Sequence, residues 1–134
     1  MFAQLDTKSV YSFMDSVVDL NTYVKRAKEL GYQSIGLMDR DNLYAAYHFA
    51  QLAIRNGLRP LIGTEANLFY EGRKIPFRLL AKNNQGYKNL MKLATELSSG
   101  QREFTYFSDY LNDIALILPS EDWEPGMSLG SEVF

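Results

Sequence analysis

The chain is predicted to be an α/β domain with mostly parallel strands and one β-hairpin. Three observations lead there. Short apolar runs alternate with helix-period stretches through the first hundred residues. Gly31 and Gly57, placed to stop two successive helices, lie 26 residues apart, a span that suits one strand–helix unit. Two such units in tandem imply parallel strands joined by right-handed crossovers. Two further apolar runs flank a short polar stretch, as in a hairpin.

Phe2–Leu5 is short and apolar and reads as the first strand. Asp19 then offers a helix N-cap, and Leu20, Tyr23, Val24, Ala27 and Leu30 recur on one helical face until Gly31. Ser34–Met38 is the second strand. The next helix is expected to bury Leu43, Ala46, Tyr47, Ala50 and Ile54 before Gly57 ends it. Arg59–Thr64 is the third strand, with Pro60 near its start, where a missing N–H costs least. Ala66–Tyr70 and Ile75–Ala81 form the hairpin around Glu71-Gly72-Arg73-Lys74. A third helix begins near Asn83 or Asn84, buries Tyr87, Leu90, Met91, Ala94 and Leu97, and breaks at Ser98-Ser99-Gly100. Ile114–Leu118 is a last strand, closed by Pro119. Val133 and Phe134 look like the start of another strand, so the chain is expected to be a piece of a longer protein.

Composition excludes several classes of function. At 46% hydrophobic and 22% charged residues the chain suits one globular domain with its own core. It has no run of 18 apolar residues, no secretory-type N-terminus and no cysteine. Disulfides and thiolate metal sites are therefore ruled out, and a cytoplasmic location is expected. The net charge of -2 argues against bulk capture of nucleic acid. Residues 1–100 nevertheless carry 13 Lys/Arg against 9 Asp/Glu, whereas the last 34 carry Arg102 against seven acids. Lys25, Lys28, Lys88 and Lys92 fall on helices. They read first as solvated helix faces and second as candidate phosphate or partner contacts.

Functional groups of parallel α/β folds gather beyond the C-terminal ends of the strands. Those positions hold Asp6 and Lys8, then Asp39, Arg40 and Asp41, then Glu65. If the strands are neighbours, these side chains share one rim. Carboxylates suit Mg²⁺ or Mn²⁺, but this set has no histidine and includes cations where ligands would stand. It reads first as a salt-bridged rim, with a phosphate- or partner-contacting surface and a working metal site as alternatives. His48 has no ligand at helical spacing and reads as a helix-surface residue. There is no nucleophile elbow and no phosphate-binding glycine loop, so no catalytic residue is assigned.

Several segments, in order, resemble the N-terminal part of the PHP (polymerase and histidinol phosphatase) domain of bacterial DNA polymerase III alpha subunits, the replicative C-family polymerases. They are Tyr11-Ser12-Phe13-Met14-Asp15, the helix from Val24 to Gly31, and the strand from Gly57 to Glu65. Leu79-Leu80-Ala81-Lys82-Asn83, Gly86-Tyr87 and Asn89-Leu90 resemble the polymerase branch in particular. The resemblance implies a partial distorted (β/α) barrel over residues 1–118, followed by an acidic tail, 119–134. Active relatives carry a His-x-His pair where this chain has Asp6 and Lys8, and Asp-His where it has Asp39-Arg40. Glu65 keeps its place, and a further histidine expected in the hairpin's second strand is missing from Pro76-Phe77-Arg78. Asp6, Lys8, Asp39, Arg40 and Glu65 are therefore expected to form a vestigial metal-site rim that holds no metal, with Lys8 and Arg40 standing in for the lost cations.

The resemblance further implies a parent DNA-directed DNA polymerase, a nucleotidyltransferase that uses Mg²⁺ in a separate polymerase domain. The chain itself is expected to hold no cofactor and to act as a non-catalytic scaffold. Its partners would be the remainder of the polymerase chain, replisome subunits, and DNA through the parent protein, with no membrane. Taken alone, an open part-barrel is expected to self-associate or to be marginally stable. The alternatives are an active metal-dependent PHP phosphoesterase or exonuclease, and a free-standing binding module without a polymerase.

Overall fold

The computed structural model describes residues 3–4, 19–119 and 122. The chain divides into two compact units, Met1–Thr64 and Glu65–Phe134. The first contains β1 (Ala3–Gln4), α1 (Leu20–Glu29), β2 (Ser34–Arg40), α2 (Ala46–Arg55) and the opening half of β3 (Arg59–Tyr70). β1 lies parallel to β2, with Ala3 opposite Ser34 and Gln4 opposite Ile35. β2 neighbours β3. The Arg59 N–H donates to the Gln33 carbonyl at one end and the Thr64 hydroxyl to the Asp39 carbonyl at the other. Partners that advance together along both strands mean parallel strands, as the alternating pattern requires.

α1 starts where Asp19 can cap it. One carboxylate oxygen accepts from the Asn21 N–H at 3.3 Å and the other from the Thr22 hydroxyl at 2.9 Å. It ends before Gly31, whose φ of +81° is the left-handed geometry that glycine adopts without strain. Replacing Asp19 by alanine is expected to cost about 1 kcal/mol in urea unfolding, with asparagine close to neutral. Val24 and Ala27 face a core formed with Ile35, Leu37, Ala45, Phe49, Ala53 and Leu58. Leu30, predicted to share that face, is exposed, because it is the C-cap residue and no longer follows the helical stripe.

α2 corrects the sequence reading more strongly. Its buried residues are Ala46, Phe49 and Ala53, while Tyr47 and Ile54 are 70% and 65% exposed. Two apolar stripes compete on this helix. The one built on two alanines lets the backbone approach its neighbours, and Phe49 fills the remaining space by stacking on Tyr23. Leu43 precedes the helix and is half-buried, as is Ala50 within it.

The second unit holds the rest of β3, β4 (Arg73–Ala81), α3 (Asn84–Ser98), a 3-10 helix at Phe104–Tyr110 and β5 (Ile114–Ile117). The predicted third strand and the hairpin's first strand are one strand of 12 residues. The turn is only Glu71-Gly72, both with positive φ, 50° and 79°. That two-residue geometry matches the twist of the flanking strands, so pairing resumes at once with Arg73. β5 runs antiparallel to β4, with Leu79 opposite Leu116, an arrangement that the sequence reading did not specify. The 3-10 helix was not anticipated either. It brings Phe104 and Phe107 into the core, and Phe104 stacks on Phe77 at 4.8 Å. The opposite edge of β3 is met at Phe69, whose N–H donates to the Arg102 carbonyl at 2.7 Å.

α3 packs against β4, β5 and the 3-10 helix through Leu90, Leu93 and Leu97. Met91, predicted to be buried, is 43% exposed, because Leu93 takes the inward position and turns Met91 outward. Asn83 caps the helix by accepting from the Gly86 N–H at 3.0 Å. Gly86 and Asn89 then grip the turn that enters β5. A side chain at Gly86 would run into the Asp113 carbonyl, and the buried Asn89 amide donates to the Asn112 carbonyl at 2.8 Å.

Candidate functional site

Of the predicted rim residues, Asp39 and Arg40 belong to the first unit and Glu65 to the second. Asp6 and Lys8 lie outside the described residues, as do the segment Tyr11–Asp15 and most of the acidic tail. In the first unit β2 continues through Asp39 and Arg40, which are therefore strand residues and not loop residues beyond it. Asp39 is 1% exposed, and Arg40, the last residue of β2, is exposed. Asp41 then adopts a left-handed φ of 57°, which aspartate tolerates better than most side chains. Asn42 fixes the exit: its amide donates to the Arg40 carbonyl at 2.7 Å and its oxygen accepts from the Tyr44 N–H. The sequence thus builds a sharp, hydrogen-bonded exit just behind a buried carboxylate.

In the second unit Glu65 is 8% exposed and lies inside β3, well before its end. Arg78 on β4 places a guanidinium nitrogen 4.0 Å from a Glu65 oxygen. Counting outward from Glu71-Gly72 sets Tyr70 opposite Arg73, Ala66 opposite Phe77 and Glu65 opposite Arg78. The burial of Ala66, Leu68, Ile75 and Phe77 on one common face fits that count. Arg78 was not among the predicted site residues. The four-residue turn expected from the sequence would have set Glu65 opposite Leu80 and hidden the pair.

The lysines meet their expectation as surface residues only. Lys25 and Lys28 are exposed on α1, Lys88 and Lys92 on α3, and His48 is exposed on α2. Next to Lys25, Arg26 pairs with Glu29 at 3.3 Å, an exposed bridge of little energetic weight.

A divalent ion of this fold needs several oxygen or nitrogen donors converging on one point. Among the described residues no group of three His, Cys, Asp or Glu side chains could hold one. Glu65 also has a fixed cation 4.0 Å away. The described residues do not fit a metal centre.

The PHP domain family matches residues 4–123. The chain belongs to the PHP domain family. It is 52% identical over 123 residues to the DNA polymerase III subunit alpha of Streptococcus pyogenes, covering 92% of this chain and 12% of the relative. It is 33% identical over 126 residues to the same subunit of Bacillus subtilis (strain 168), covering 90% and 11%. The chain therefore spans only about one-eighth of the length of these curated relatives. Among solved structures, a Bifidobacterium adolescentis protein proposed to be a metal-dependent phosphoesterase superposes with a TM-score of 0.56. The match covers 81% of this chain and 49% of that one at 16% identity, a likeness of fold alone. It agrees with the predicted partial barrel of PHP type. Among the described residues no helix is long and apolar enough to cross a membrane.

Proposed function

We propose that this PHP chain is part of a bacterial DNA polymerase III alpha subunit and serves there as a non-catalytic scaffold module. The observation that carries the reading is the 52% identity to that subunit along 92% of the chain. In the whole protein, DNA synthesis by nucleotidyl transfer and its Mg²⁺ ions belong to a separate polymerase domain. The PHP part contributes a packed surface for the remainder of the chain and for replisome subunits, in the cytoplasm.

One feature supports the absence of PHP hydrolysis. Metal-dependent phosphoesterases need an ion to activate water and to offset the charge that develops in the transition state. Here Arg78 stands against Glu65. That carboxylate is placed beside fixed positive charge across the hairpin. The vestigial rim of Asp6, Lys8, Asp39, Arg40 and Glu65 is accordingly read as structural.

The test has two arms. Hydrolysis of p-nitrophenyl phosphate and of single-stranded DNA is measured with Mn²⁺ and with EDTA, and equal background rates are expected in both. Mn²⁺-dependent turnover lost in Glu65→Gln would establish the phosphoesterase reading instead. Sequencing the gene past the codon for Phe134 is expected to show an open frame of several hundred codons. A stop there would favour a free-standing binding module.

A further inference from the structure

We propose that Arg78 is a built-in counter-charge for Glu65, filling the electrostatic role a bound divalent cation would play and excluding one from that carboxylate. The inference rests on the reading of this PHP module as metal-depleted, and it assigns that state to a named residue. β4 lies between β3 and β5, so Arg78 sits on an inner strand of the second unit. Its neighbour on β5 is Ile117, which brings no charge. On the β3 side the two-residue turn delivers Glu65, with side-chain exposures of 32% for Arg78 and 10% for Glu65.

Three physical points follow. A carboxylate this buried is costly to keep ionised without positive charge nearby. Arginine supplies that charge permanently, since its guanidinium does not deprotonate in proteins, and it releases no proton or ion when conditions change. A divalent ion at Glu65 would in turn stand a few ångströms from the guanidinium and be repelled by it. The cross-strand position makes the arrangement durable, because register in this hairpin is set by Glu71-Gly72 and by the buried face of Ala66, Leu68, Ile75 and Phe77. Arg78 cannot leave Glu65 without unpairing the hairpin or swinging into solvent.

Urea unfolding of the full chain tests this with wild type, Arg78→Met, Glu65→Gln and the double variant, each in EDTA and in millimolar Mn²⁺. Arg78→Met is expected to lower the folding equilibrium constant about 30-fold. That is less than the several-hundred-fold loss for a fully buried pair, because Arg78 keeps some solvent. Adding Glu65→Gln should recover most of the loss, since the negative charge that Arg78 offsets is then gone as well. Mn²⁺ should leave the wild-type midpoint where it is and raise that of Arg78→Met. The proposal is overturned by an Arg78→Met loss under about threefold, by a double variant no better than the single one, or by wild type gaining as much from Mn²⁺ as Arg78→Met. Should Arg78→Met not fold, a double variant that folds supports the pair and one that stays unfolded overturns it. Mn²⁺-dependent phosphoesterase turnover by wild type would sink the scaffold reading even if the residues proved coupled. An uncoupled pair in an inactive protein would sink this inference alone.

Discussion

Gly86→Ala is expected to cost the second unit about 2–3 kcal/mol, measured by urea unfolding, despite alanine's better helix propensity. On an exposed helix position the change would gain up to about 1 kcal/mol. Here the added carbon meets backbone on two sides. It would overlap the Asp113 carbonyl oxygen, and it would come within 3.3 Å of the Ala81 Cα. Neither neighbour is free to yield. The Asp113 carbonyl accepts from the Lys82 N–H at 2.9 Å, and the Asn112 carbonyl beside it accepts from Asn89. Asp113 also holds a left-handed φ of 61°, a conformation with little latitude for a residue that has a side chain. Relief therefore means shifting α3 away from β4 and β5, which thins the packing of Leu90 and Leu93. Lys88→Ala, two positions along on the exposed face, is the control and should stay within about 0.5 kcal/mol of wild type. A Gly86→Ala variant as stable as that control would show that the turn into β5 can retreat.

This position explains why part of the molecule was readable from residues and part was not. The Gly86 and Asn89 pattern could be matched to a family before its purpose was visible, because the purpose is a contact with Asn112 and Asp113 far along the chain. Local signals behaved differently. Asp19, Gly31, Asn83 and Gly100 mark helix ends through their own backbone and side-chain chemistry, and the helices begin and end beside them. The alternation of strands and helices also carried over to the parallel strands of the first unit. What failed was phase. A turn assigned four residues in place of two moves the register across the hairpin, which concealed the Glu65–Arg78 contact. Glu-Gly is a weaker turn signature than Asn-Gly, and the apolar runs alone do not say where pairing resumes. The strand ends were also set too early: β2 runs on through Asp39 and Arg40, and β3 continues past Glu65 to Tyr70.

Phase also decides the second large effect. Phe49→Ala should destabilise the chain by about 3–5 kcal/mol, whereas Tyr47→Ala, on the same helix, should change stability by less than about 0.5 kcal/mol. Both residues are large aromatics, and sequence periodicity chose Tyr47 as the buried one. The structure reverses them: Phe49 is fully buried, stacked at 6.0 Å on Tyr23, while the Tyr47 hydroxyl reaches Gln51 in solvent. Removing Phe49 opens a void in the core cluster that includes Val24, Ala53 and Leu58, and Ala46 and Ala53, the other buried residues of α2, are too short to refill it. The loss reaches the site as well, since α2 packs on β2 and β2 presents the buried Asp39. Hydrogen exchange should therefore show faster opening of the β2 amides in Phe49→Ala and unchanged protection in Tyr47→Ala. Equal losses in the two variants would mean that α2 is rotated from the position described, and the burial assigned to its inner face would have to be abandoned.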